Sequence, residues 1–340
     1  MAVGRGGDST RRALGKLHRV PLSTLRAFVP LEHDPSDARS CRQGGSEWFA
    51  HRHGRLTASN FSRVLGFSSE FQRRAVLREF MRDGPPREFH KDNLQGRLSV
   101  HDPCTVDLSG SEWGHLYERS ALATYLTAFV QPRCAEARLL ETGFWPMTDG
   151  STGLSMGASP DALLEGVEAT FPGGVVIEAK CPGGGGIPRA QGRVHARQMP
   201  QLQGTLLATR RAHCHLVTWS PSAAAIFSVR AHPQYQQAMV GALATATSAA
   251  RAERRLTSDE LLDARRVREW SADLALDATL LLSVDASRCV MLVDDRAIDG
   301  RAAPNSGSNG HGGHEEASRP LRVVNVLDTS QPTAAGTAAK

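Results

Sequence analysis

The run Val175-Val176-Ile177-Glu178-Ala179-Lys180 sets the tightest limit on what this chain can fold into. Three consecutive β-branched aliphatic residues call for a strand covered on both faces. Such a strand, ending in two charges, must supply them with a partner or an ion. Residues two apart on a strand share a face, so Glu178 and Lys180 project together and Ala179 points the other way. Upstream lies Ser159-Pro160-Asp161-Ala162-Leu163-Leu164, where an acid meets an extended apolar segment. The hairpin over Glu165–Gly173 then brings Asp161 back beside the pair. Two carboxylates and an ammonium in one pocket suit a magnesium-dependent phosphodiester hydrolase.

That chemistry needs an in-line water, neutralisation of the phosphoryl oxygens and help for the departing oxygen. Magnesium provides all three when one or two carboxylates, a backbone carbonyl and waters hold it. Asp161 and Glu178 are the carboxylates, the carbonyl of Ala179 completes the set, and Lys180 faces the attacking water or the scissile phosphate. The ammonium also lets two acids share a pocket without driving one far up in pKa. A third acid is expected from the preceding helix, where Trp113-Gly114-His115-Leu116-Tyr117-Glu118 places Glu118 near a second metal position. Each feature has a plainer reading. An Asp after Pro is often a turn residue, and Glu and Lys two apart on a strand are often an exposed pair.

Along the chain the pattern divides into a core and two weak ends. Residues 1–39 form a basic arm carrying Arg5, Arg11, Arg12, Lys16, Arg19 and Arg26. This arginine-rich composition fits either a disordered nucleic-acid-touching arm or a transit peptide. The transit reading implies a chloroplast or mitochondrion; nucleus or cytoplasm is the alternative. Residues 40–256 read as one α/β domain. Helices are expected over Trp48–Leu65 (broken near Gly54 and recapped at Thr57 or Ser59), Trp113–Phe129, His195–Thr209 and Gln234–Arg255. Strands are expected at Leu139–Trp145, Leu154–Ser159, Gly174–Lys180, Cys214–Trp219 and Ala224–Arg230. Residues 257–300 add a helix over Asp259–Leu274 and apolar segments at Thr279–Val284 and Val290–Val293. From 301 to 340 the Gly/Ser/Pro/Ala-rich tail is expected to be disordered; its His311 and His314 read as solvated.

Composition excludes some classes. No apolar run approaches the roughly 18 residues of a membrane span. The formal charge of +5 permits a polyanionic partner without establishing one. Six cysteines, widely spaced and without a CxxC pair, lack zinc or iron–sulfur spacing and fit reduced thiols of an intracellular protein.

Taken together, the motifs resemble the PD-(D/E)XK nuclease superfamily, and within it the lambda exonuclease and YqaJ-type viral recombinase family. They occur in the family's order: Trp48-x3-Arg52-x-Gly54-x2-Thr57-Ala58-Ser59, then Trp113-Gly114-x2-Tyr117-Glu118, Ser159-Pro160-Asp161, Glu178-Ala179-Lys180-Cys181-Pro182, and Gln201-x-Gln203. The resemblance covers roughly residues 44–230. It implies an α/β fold with a restriction-endonuclease-like core, a central mixed five-stranded sheet flanked by helices. It implies a Mg²⁺-dependent DNA exonuclease, with Mn²⁺ able to substitute, working 5′ to 3′ on double-stranded ends in recombination or repair. The alternatives are a structure-specific endonuclease or resolvase, and an inactive DNA-binding module. By resemblance, Glu118, Asp161 and Glu178 are metal ligands, Lys180 is the catalytic lysine, and Gln203, before Gln201, is a polar residue near the centre. Arg52 and Ser59 match residues that grip a 5′ phosphate. The resemblance further implies a homo-oligomer, a ring of three, and a single-strand-annealing partner protein.

Overall fold

The computed structural model describes residues 18–21, 27–29, 31–32, 34, 36–82, 110–182 and 190–293. The start of the basic arm, residues 83–109 of the polar insertion, Gly183–Gly186 and the tail with His311 and His314 lie outside the described residues. In chain order the elements are β1 (His18–Pro21), β2 (Phe28–Val29), α1 (Ser46–Arg52), β3 (Leu56–Thr57), α2 (Ala58–Val64), α3 (Glu70–Phe80) and α4 (Gly110–Tyr125). Then follow β4 (Arg138–Leu140), β5 (Trp145–Thr148), β6 (Ser155–Ala158), β7 (Ala162–Glu165), β8 (Val175–Lys180), α5 (Met199–Thr209), β9 (His213–Ser220) and β10 (Ala223–Arg230). The last are α6 (Pro233–Arg251), α7 (Ser258–Leu276), β11 (Thr279–Asp285) and β12 (Val290–Val293). Among the described residues no helix is long and apolar enough to cross a membrane.

The α/β class holds. The central sheet is mixed and has seven strands, in the order β11-β10-β9-β8-β7-β4-β2, rather than five. Three further strands, β2, β7 and β11, join the central sheet, and β6, expected in it, leaves it. Leu139–Trp145, expected as one strand, is two, because the chain turns at Gly143, where a Cβ would sit 2.5 Å from the carbonyl oxygens of Ala38 and Cys41. The second piece, β5, leaves the central sheet and pairs with β6 and β3 in a separate three-stranded sheet. Ala162–Glu165 and Thr279–Asp285 join the central sheet as strands of their own, the latter antiparallel to β10.

β8 is buried along nearly its whole length, as its sequence demands. Val175, Ile177 and Ala179 enter the apolar cluster under α4, with Tyr117, Tyr125 and Trp219. Val176 enters the opposite cluster with Phe61, Leu202 and Leu216. α2, α5, α6 and α7 cover that second face. β8 and β9 run parallel, a pairing that requires a crossover, and α5 is that crossover.

α5 begins at Met199 rather than His195. The preceding residues Ala196–Gln198 form a single 3-10 turn, and Pro200 falls in the first turn of α5, where its missing N–H removes no helical bond. Pro200, inside the helix expected over His195–Thr209, thus sits at the start of α5 and does not interrupt it. At its middle, Gly204 lets α5 approach α2 closely. A Cβ there would meet the Phe61 ring at 2.5 Å and Ala58 Cβ at 3.2 Å. Gly204→Ala is expected to destabilise the fold by about 1–3 kcal/mol from overpacking, outweighing the up to about 1 kcal/mol that alanine gains in a helix interior. A lowered urea midpoint checks this; an unchanged one would mean the helices separate without cost.

Candidate active site

The site forms where β7 begins and β8 ends. The antiparallel register pairs Ala162 with Ile177 and Leu163 with Val176, so one further step sets Asp161 opposite Glu178 on the same face. Asp161 N–H donates to the Ile177 carbonyl at 3.1 Å, and Asp161 Oδ2 accepts from the Ala179 N–H at 2.6 Å. The turn before it is clamped from outside. Gln43 Nε2 donates to the carbonyls of Thr142 (3.0 Å) and Pro160 (2.8 Å). Ser159 Oγ accepts from Trp48 Nε1 at 3.1 Å and from the Arg52 guanidinium at 3.3 Å.

Glu178 is 1% exposed, and both its oxygens are engaged. Oε1 accepts from the Thr205 hydroxyl at 3.0 Å. Oε2 accepts from Gln201 Nε2 at 2.8 Å and Lys180 Nζ at 3.2 Å. Glu118 reaches the same end of β8 from the other face of the sheet. A Cβ on Gly114 would lie 4.0 Å from the Cys181 carbonyl, and Glu118 is one helical turn further along the same side of α4.

The electrostatics bind these groups together. Burial, then the charges of Glu118 and Glu178, push the Asp161 carboxyl well above its ordinary range. Burial also raises Glu178, against the opposing pull of Lys180 and Thr205. Burial alone would lower Lys180, but Glu178, Asp161 and Glu118 together hold it protonated above its usual value. The neighbouring Cys181 thiol is pushed up by burial and then by Glu118 and Asp161. Three acids therefore act on one ammonium, and the site carries excess negative charge.

Among the described residues no three His, Cys, Asp or Glu side chains already form a coordination cluster. The donor set nevertheless fits a hard divalent cation: it offers only oxygens, and its surplus of carboxylates over ammonium leaves charge to neutralise. Glu118, Asp161, Glu178 and the Ala179 carbonyl are the groups that would hold the ion.

Residues 47–212 match the model of the YqaJ-like viral recombinase domain. This segment is similar to the YqaJ-like viral recombinase domain. No curated protein and no solved structure matches the chain. The YqaJ-like domain spans every candidate residue of the site, from Arg52 and Ser59 through Glu118, Asp161, Glu178 and Lys180 to Gln201 and Gln203. Its family is generally one of nucleases acting in recombination, with DNA as the substrate class.

Within the domain one expected residue sits elsewhere. Gln203, expected near the catalytic groups, is wholly buried and turned away from them. Its Nε2 donates to the Arg230 carbonyl at 2.7 Å, and its Oε1 accepts from the N–H of His232 (3.0 Å) and Nε2 of Gln236 (3.1 Å). Residues two apart on a helix face opposite sides, so only one of the two glutamines can reach Glu178, and it is Gln201. Gln201→Ala should lower the rate with little change in thermal midpoint. Gln203→Ala should take one partner each from the Arg230 carbonyl, the His232 N–H and Gln236 Nε2 and destabilise by about 1–3 kcal/mol. Parallel rate and melting measurements separate the two roles; matching profiles would refute the division.

Arg52 and Ser59 flank the turn that delivers Asp161. The Arg52 guanidinium lies 3.9 Å from the centre of the Trp48 ring and 5.9 Å from that of Phe144. Burial lowers its pKa to about 10, and no carboxylate among the described residues pairs with it. Ser59 is exposed in the first turn of α2, its Oγ 3.2 Å from Thr57 Oγ1. β3, which leads into that turn, pairs with β6, which leads into Ser159. Thr205 and Gln43 escaped the sequence reading. Thr205, four residues after Gln201 and so on the same helix side, carried a signal; Gln43 carried none, since its clamp spans 117 positions.

Proposed function

We propose that the chain is a Mg²⁺-dependent DNA exonuclease that digests double-stranded ends from the 5′ side in recombination or repair. One observation carries the reading: Glu178, buried and held by Thr205 and Gln201, faces Lys180 and stands opposite Asp161 at the end of a covered strand. A fully buried carboxylate with this many donors is costly to keep for structure alone.

A bound divalent ion, held by Glu118, Asp161, Glu178 and the Ala179 carbonyl, would supply charge neutralisation at the phosphoryl oxygens and an acidified water. The chain's own groups do the rest. Lys180 is held protonated, so it acts as a hydrogen-bond donor to the attacked phosphate or to the attacking water, not as a base. Thr205 and Gln201 fix the rotamer of Glu178, and the Asp161–Ala179 bond fixes β7 against β8. Arg52, desolvated against Trp48 and without a carboxylate partner, is the guanidinium fork for the terminal 5′ phosphate, with the Ser59 hydroxyl alongside.

The test compares linear duplex bearing a 5′ phosphate, linear duplex bearing a 5′ hydroxyl, and a covalently closed circle, each with Mg²⁺ or chelator. Digestion of the phosphorylated linear duplex with Mg²⁺ alone is expected. Arg52→Ala should reduce the preference for the phosphorylated end by about tenfold or more, the loss of a charged hydrogen-bond pair worth about 1.5–3 kcal/mol. Cleavage of the circle would instead establish an endonuclease, and tight DNA binding without cleavage would leave a binding module.

A further inference from the structure

Away from this site, α3 and the end of α6 enclose a groove of about 810 Å³. Its first wall is a single helical stripe, Glu70, Arg73, Arg74, Leu77, Arg78 and Met81, spaced three and four apart. Its second wall, Ala246, Ala249 and Ala250, repeats that spacing in alanine; Leu77, Ala246 and Ala249 lie almost covered at the bottom, and Met81, Ala250 and Leu256 are half-buried above them. Leu256 and Leu261, after the turn into α7, close one end. Leu261 is 50% exposed, and Phe71 and Leu262, next in sequence to lining residues, are 75% and 42% exposed.

The lining of the groove carries more positive than negative charge. Five arginines line it, Arg73, Arg74, Arg78, Arg254 and Arg255, against two glutamates, Glu70 and Glu253. Arg254 is held by Glu260 through two bonds of 2.7 Å, and Arg73 and Arg74 share Glu70. Arg78 and Arg255 pair with no carboxylate among the described residues, and Arg73 Nε is buried without a hydrogen-bond partner. Part-exposed apolar side chains beside Arg78 and Arg255 match a ligand with apolar side chains on one face and carboxylates beside them.

We propose that this groove takes an acidic amphipathic helix of a partner protein, its apolar stripe seated against Met81, Ala250 and Leu261, its carboxylates on Arg78 and Arg255. Two helical walls with one small-residue side are the geometry in which a third helix docks. A nucleic-acid backbone fits less well: it has no apolar stripe for Met81, Ala250 and Leu261, and Glu70 and Glu253 would face its phosphates.

The probe is a dye-labelled helical peptide of about 18 residues, about 27 Å long, with leucines at positions i, i+3, i+4 and i+7 and glutamates flanking them. A peptide of the same composition in scrambled order is the control, and binding to the full chain is read by fluorescence anisotropy. The patterned peptide should bind at least about tenfold more tightly than the scrambled one, and more weakly as salt rises. Ala250→Trp, which fills the groove, should remove that difference. Arg78→Glu with Arg255→Glu, on exposed positions that leave the thermal midpoint unchanged, should weaken binding by about tenfold or more. Equal binding of both peptides, or no binding, overturns the proposal. Displacement of the peptide by short duplex DNA would make the groove a nucleic-acid surface. Conversion of an oligomer to a monomer by Ala250→Trp would show that a second copy fills it. Nuclease activity enters none of these readings.

Discussion

Lys180→Ala is expected to lower the rate of phosphodiester cleavage by about 10²–10⁴-fold, the range spanned by a positioned proton donor, while DNA binding stays near the parental value. The position and charge of Lys180 set this outcome. Its Nζ bonds Glu178 at 3.2 Å, and the three surrounding acids keep it protonated. Its ammonium therefore acts on charge that develops during the reaction, not on the resting duplex, and its removal should appear in kcat with the dissociation constant for duplex little changed. Single-turnover cleavage beside a binding titration makes the measurement. A mutant cutting at the parental rate would end the assignment.

Asp161→Asn is expected to abolish cleavage and, in chelator, to make the protein more stable by about 1–2 kcal/mol, the usual scale when a strained functional group is relieved. The sign follows from linkage. Burial with Glu118 and Glu178 nearby raises the folded-state pKa of Asp161 above its ordinary value of 3.8. The folded state thus binds the proton more tightly than the unfolded chain, and stability falls as pH rises from that value through the raised one. Asparagine keeps an acceptor for the Ala179 N–H but carries no charge, so its advantage should be absent near pH 4 and grow as pH rises above it. Mg²⁺ should reverse the ranking. An ion at a hundredfold excess over its Kd stabilises by about 2.7 kcal/mol, and only the parental chain would gain it. Thermal midpoints of both proteins across pH, with Mg²⁺ and with chelator, give four curves. Identical metal responses would remove Asp161 from the ligand set.

The core of the site was legible because strands report phase without ambiguity. With a period of two, the neighbours of Glu178 and Lys180 fix their face, and the apolar run fixes their burial. The hairpin over Glu165–Gly173 then fixes the partner strand, and with it Asp161. Helices report phase less well. Gln201 and Gln203 could not be told apart until the start of α5 at Met199 set which side of the helix meets β8. The strand count failed for a different reason. Leu139–Trp145 is apolar at both ends and short enough to read as one strand, and the break at Gly143 comes from two carbonyls contributed a hundred residues earlier. β11 looked like part of an appendage because nothing local to Thr279–Asp285 names β10 as its neighbour. The clamp by Gln43 belongs to the same class, a contact made by closure of the chain and invisible in any window of sequence.

One helix, α5, grips Glu178 through Gln201 and Thr205 on one side and, through Gln203 on its back, the corner where β10 passes into α6. Inheritance is constrained accordingly. Gln203 meets Arg230 and His232 through their backbone, which substitution there leaves in place, so Gln236, which lends a side chain, is the corner position that should change only in concert with α5.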